Sequence, residues 1–112
     1  MKRGEVWRVR LPSGQGHAQS GERPALVVQA DQFDASLPTV LVVPFTSSLA
    51  TQRFPGTLLI SPDGANGLTL PSVALVFQTR AIDKQACIQR LGTLDPHDFE
   101  AVLEKLDDIT GR

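Results

Sequence analysis

Two stretches of this chain offer no polar face: Ala25-Leu26-Val27-Val28 and Val40-Leu41-Val42-Val43. Short apolar runs bounded by turn residues read as strands buried on both sides. The second run belongs to a longer strand, Thr39 to Thr46, in which Pro44 removes a ladder donor and implies an edge or a bulge. Around them, Gly4 to Leu11 alternates, with Trp7, Val9 and Leu11 on one face and Arg8 and Arg10 on the other. Asp31 to Ser36 suits a helical turn. Thr57 to Ile60 reads as a short strand and Pro62 to Gly67 as turn chemistry. Ser72 to Thr79 reads as one long buried strand running on through Arg80 to Asp83, and Cys87 to Leu94 as the last strand.

Only the end of the chain has helical periodicity. Phe99, Val102, Leu103, Leu106 and Ile109 fall on one face. Asp95 is placed to cap the helix, Pro96 to open it and Gly111 to stop it. Short strands followed by one helix predict a mainly β, α+β fold: a small β-barrel or curled sheet with a helix packed on it. The 112 residues suit a single domain spanning 1–112.

Composition narrows the function classes. One cysteine excludes an intramolecular disulfide framework, and with only two histidines it argues against a Cys/His zinc site. A reducing, cytoplasmic setting is expected. No apolar run approaches membrane-spanning length. The net charge is −1, but residues 1–90 hold nine Lys/Arg against six Asp/Glu, and residues 91–112 hold two against six. A mildly basic body permits a local phosphate-binding groove on a nearly neutral molecule.

Arg23 stands where the first apolar strand begins, after a loop from Pro12 to Glu22 rich in Gly, Ser and Gln. A guanidinium at the mouth of a rigid strand suits a phosphate or carboxylate. The plainer alternative is a surface arginine in a salt bridge. His17, within the loop, could carry protons near neutral pH. Thr46, Ser47 and Ser48 end a buried strand, where hydroxyls could also start a turn. Arg80 with Asp83 reads as a structural ion pair, and Cys87 as a small core or edge residue. These residues alone describe a β-rich domain with an anion groove.

Four segments in register carry a resemblance: Lys2 to Trp7, Gly16 to Pro24, Val42 to Ser47 and Gln78 to Asp83. Together they resemble the MazF/PemK (Kid) toxins of type II toxin–antitoxin systems. The resemblance implies an SH3-like barrel with a C-terminal helix, a homodimer, and a cognate antitoxin. It also implies metal-independent endoribonuclease activity on single-stranded RNA, with no cofactor. Arg23 and Thr46 match catalytic positions, His17 matches a histidine of the Kid branch, and Gln19 and Ser47 match groove-lining positions. Arg53, Phe77 and Arg80 are expected to contact RNA as well. The implied reaction is attack of a ribose 2′-OH on the adjacent phosphorus, leaving a 2′,3′-cyclic phosphate and a 5′-hydroxyl.

The chain departs from the pattern in its carboxylates. Ala18 stands where some relatives carry a flap glutamate, and Leu75 and Phe77 stand where the Kid branch carries an arginine and an aspartate. Strand alternation would put Leu75 and Phe77 on one face with Val73 and Thr79, so that Phe77 either stacks an RNA base or fills the core. With no carboxylate there, His17 is the expected proton carrier. Two other classes fit a barrel of this kind: a CcdB-like poison of DNA gyrase, and a catalytically silent RNA- or peptide-binding module.

Overall fold

A computed structural model of the chain describes residues 1–12 and 20–112. Its strands are β1 (Glu5–Leu11), β2 (Gly21–Val27), β3 (Thr39–Thr46), β4 (Thr57–Ile60), β5 (Ser72–Leu75), β6 (Arg80–Asp83) and β7 (Cys87–Thr93). One helix, α1 (Pro96–Thr110), follows. All strand pairs are antiparallel, in the order β4-β5-β3-β2-β1-β7, with β6 also on β3. The SH3-like expectation, a mainly β sheet with a C-terminal helix, holds.

β3 is the strand on which the sheet turns. Along one edge it pairs with β2, through Ala25↔Pro44, Leu26↔Val43 and Val27↔Val42. Along the other it has two partners. Thr39 to Val42 face β6, whereas Phe45 and Thr46 face β5. Neither Val43 nor Pro44 has a ladder partner on that side. The missing N–H implied an edge or a bulge, and Pro44 is not on an edge strand. It sits in a central strand, opposite the gap where β5 hands over to β6, and there a missing donor costs no ladder bond.

The same handover breaks the long strand expected from Ser72 to Thr79. β5 stops at Leu75, and Val76–Gln78 form a 3₁₀ turn before β6. The turn is closed by Thr79, whose N–H and hydroxyl both donate to the Val76 carbonyl, at 3.1 and 2.6 Å. Phe77 N–H donates to Gly56 O at 3.2 Å. An apolar run carries no mark of such a turn, because every residue in it is as well suited to a buried turn as to a strand.

The central strands are buried on both faces, and each face has its own core. Val6, Leu26, Val43 and Phe45 alternate onto one face, which α1 covers with Val102, Phe99 and Leu106. Val9, Leu11, Ala25, Val27, Val40 and Val42 alternate onto the other, closed by Ile82 and by Trp7. That is why neither apolar run can spare a polar position. Each fully buried Val or Leu contributes about 1.5–3 kcal/mol. α1 begins as its sequence predicts, with the Asp95 carboxylate accepting from His97 N–H at 2.8 Å. It ends at Gly111, whose φ of 78° only glycine adopts without strain.

Candidate functional site

Where β2 starts and β3 stops, the chain sets Arg23 beside Thr46. The β2–β3 ladder ends at Ala25↔Pro44, two residues short of Arg23 and Thr46, and both of these line one cleft. Alternation from that last pair puts both side chains on the same face of the sheet. Gly21, at φ +81°, turns the chain into β2 just before them.

Arg23 is half-buried, and its Nε donates to the Ser20 carbonyl at 3.3 Å. Arg8, Arg10 and Arg90 all lie against carboxylates. Arg23 does not, among the described residues, so the surface salt bridge its sequence context allowed is absent there. Among the described residues its two terminal nitrogens have no partner, which suits them to an anion. Thr46 is 5% exposed, and its Oγ1 accepts from Ser48 N–H at 3.2 Å. That bond shapes the turn after β3 and leaves the hydroxyl proton for a ligand oxygen.

One cleft contains this pair, and a second opens at Ser48, just past Thr46. The first, of about 310 Å³, is lined by Arg23, Thr46, Ser47, Arg8, Glu22 and Leu70, among others. Arg8 and Glu22 reach it from the face opposite Arg23, since neighbours along a strand alternate. Arg8 Nε lies 3.6 Å from Glu22 Oε1, and Arg10 Nη2 lies 3.3 Å from Glu22 Oε2. The outer wall is the loop 61–71. Its brace is Asn66, fully buried, which donates through Nδ2 to Ser61 O and accepts through Oδ1 from Leu68 N–H, both at 3.0 Å. The loop lies so close to β7 that a Cβ on Gly92 would sit 2.2 Å from Ala65 O.

The second cleft, of about 250 Å³, is lined by Ser48, Arg53, Phe54, Leu75, Phe77 and Gln78, with Thr51. The rings of Phe54 and Phe77 lie 5.6 Å apart at 56°. The Arg53 guanidinium carbon stands 4.5 Å from the Phe54 ring centre. Leu75 is 1% exposed and Phe77 38%. They share this cleft because the 3₁₀ turn brings them there, with Leu75 as floor and Phe77 as wall. The strand alternation expected to align them does not extend past Leu75.

The structure thus brings Arg23, Thr46 and Ser47 together, and places Arg53 and Phe77 in the neighbouring cleft. Arg80 is half-buried on β6, opposite Val42, and lines neither cleft. Val42 lies four residues from Thr46, about 13 Å along the strand. Asp83, its expected partner, caps the turn before β7 by accepting from Gln85 N–H at 2.8 Å. His17 and Gln19 lie outside the described residues. Burial pushes the Cys87 thiol up from its ordinary value, which suits a packing role. Among the described residues no three His, Cys, Asp or Glu side chains gather to hold a metal. Sequence reading missed Arg8, Glu22 and Phe54. Glu22 faces Arg10 only through the β1–β2 register, which a long connecting loop does not set.

The profile of a family described as PemK-like, MazF-like toxin of type II toxin-antitoxin system matches residues 2–110. This chain belongs to that family. The toxin is 33% identical over 106 residues to Endoribonuclease EndoA of Bacillus subtilis, covering 95% of this chain and 90% of the relative. Its fold matches the crystal structure of MazF from Deinococcus radiodurans with a TM-score of 0.84, at 22% identity, over 100% of this chain and 97% of that one. A MazE-MazF crystal structure from the same organism matches with a TM-score of 0.76, at 21% identity, over 99% and 96% of the chains.

Proposed function

We propose that this toxin is an endoribonuclease that cuts single-stranded RNA at the Arg23–Thr46 end of the sheet. The observation that carries the reading is an arginine without a carboxylate partner among the described residues, lining one cleft together with a threonine hydroxyl. RNA supplies its own nucleophile. The 2′-oxygen attacks the adjacent phosphorus, the bond to the 5′-oxygen breaks, and a 2′,3′-cyclic phosphate and a 5′-hydroxyl remain. The protein need only align the strand, stabilise the charge growing on the phosphoryl oxygens and move two protons. Arg23 suits the second task and holds its own proton too tightly to act as a base. Thr46 donates one neutral hydrogen bond. His17 is the proposed proton carrier. Ser47, Gln19, Arg53, Phe77 and Gln78 are proposed to line the path of the strand.

The relative named endoribonuclease and the family description support this reading over a gyrase poison or a silent binding barrel. A relative's structure with MazE supports a cognate antitoxin as partner. We place the antitoxin over the same two clefts, and the working form as a cytoplasmic homodimer. Among the described residues no helix is long and apolar enough to cross a membrane. The test is to incubate the purified protein with a long unstructured RNA in the presence of a chelator and to map both new ends. Cyclic phosphate and 5′-hydroxyl ends that vanish with Arg23→Ala are expected. An intact RNA would sink the reading.

A further inference from the structure

Glu22 is the only acidic residue lining either cleft, among the described residues. A carboxylate in the path of a polyanion weakens binding unless it has a task. It is not placed to take the 2′-OH proton, since alternation sends it to the face opposite Arg23. Arg8 and Arg10 offset its charge but do not use it up. Their contacts, at 3.6 and 3.3 Å, are loose, and half of the Glu22 side chain is exposed. Each carboxylate oxygen has two acceptor sites. Arg8 Nε is enclosed and out of a ligand's reach, but 43% of the Arg8 side chain is exposed, which leaves its terminal nitrogens to donate.

We infer that Arg8 and Glu22 read a guanine next to the cleaved phosphate. The inference rests on the ribonuclease reading above. The first cleft pairs an apolar wall, which includes Pro24, Leu70 and Leu91, with a cation and a carboxylate side by side. At about 310 Å³ it is at the small end for a ligand site, which suits one base. Unstacked RNA bases are read along their Watson–Crick edges. Guanine presents there an acceptor, O6, followed by two donors, N1–H and the N2 amine. Arg8 can donate to the first, and the two oxygens of Glu22 can accept from the others. Uracil, cytosine and adenine each place an acceptor where Glu22 needs a donor. Because Glu22 and Arg23 are consecutive, the base read this way belongs to a nucleotide flanking the phosphate held by Arg23.

The test maps cleavage sites on a randomised RNA, then compares the preferred RNA with a copy carrying inosine, which lacks the N2 amine, at the flanking guanosine. Wild type should cut beside guanosine and lose about tenfold in kcat/KM with inosine. With Glu22→Ala that ratio should fall to about one, and Glu22→Gln should lie between. The ratio is taken within each protein, so a partly unfolded variant does not distort it. A merely structural Glu22 would slow both RNAs alike and leave the ratio unchanged, which overturns the inference, as would cleavage without a flanking guanosine. Both results leave the ribonuclease reading standing; a wild type that cuts no RNA would remove both.

Discussion

The two clefts beside Thr46 are built from different materials. The first stands on the β1–β2 ladder and a loop braced by Asn66, and it holds two arginines and a carboxylate over leucines. The second is framed by two 3₁₀ turns, Leu49–Arg53 and Val76–Gln78, and it holds two phenylalanine rings and one arginine. Hydrogen-bonding groups held by a ladder can read a base edge, because direction is kept. An aromatic pair on a turn offers π faces, which grip any base and tell little about which one. On the proposed reading, one side of the reaction centre is fitted to discriminate and the other to hold.

The largest expected effect falls on the proposed charge-stabilising group and should be blind to the difference between the clefts. Arg23→Ala should lower kcat by about a hundredfold or more, whatever the RNA sequence, with an unchanged melting temperature. Thr46→Ala should cost less, because it removes one neutral hydrogen bond. If Thr46→Ala is the more damaging of the two, the assignment of the charge-stabilising role to Arg23 is wrong.

Next come changes that spoil one cleft and spare the other. Gly92→Ala drives a methyl into Ala65 O, and the loop that walls the first cleft must move. A loss of roughly 1–3 kcal/mol in denaturant unfolding is expected, together with blurred cleavage-site preference. Asn66→Ala should cost a similar amount, since it strands the Ser61 carbonyl and the Leu68 N–H. Phe77→Leu acts on the second cleft. It should weaken RNA binding by roughly 1–3 kcal/mol and leave site preference unchanged. A shift in preference with Phe77→Leu, or none with Gly92→Ala, would break the division between the clefts.

The smallest effect is a control remote from both. Burial pushes the Glu5 carboxyl up, but hydrogen bonds from Lys2 N–H, the Trp7 indole and Arg90 outweigh it, and the net shift is downward. A lowered folded-state value means that the stabilisation is present above the unfolded value of about 4.3 and is lost as pH falls through the folded one. The melting-temperature gap between wild type and Glu5→Gln should be constant near neutral pH and shrink below about pH 4.5. Cleavage-site preference should not change.

Much of this was legible in the chain. Apolar runs and turn residues marked the strands; Asp95, Pro96 and Gly111 marked the helix to within a residue. These are local signals, written in periodicity and backbone preference. The family was legible too: the resemblance carried by the four segments agrees with the family profile. What stayed hidden depended on which strand lies beside which. The break after Leu75 exists because β3 changes partner at Pro44. Phe54 meets Phe77 because that break folds the chain back over Gly56. Glu22 became part of a cleft only when the register set it against Arg10. Residue types determine how each segment is built and which groups are available. Pairing between distant strands decides which of those groups meet, because no local preference records a neighbour that arrives from elsewhere in the chain.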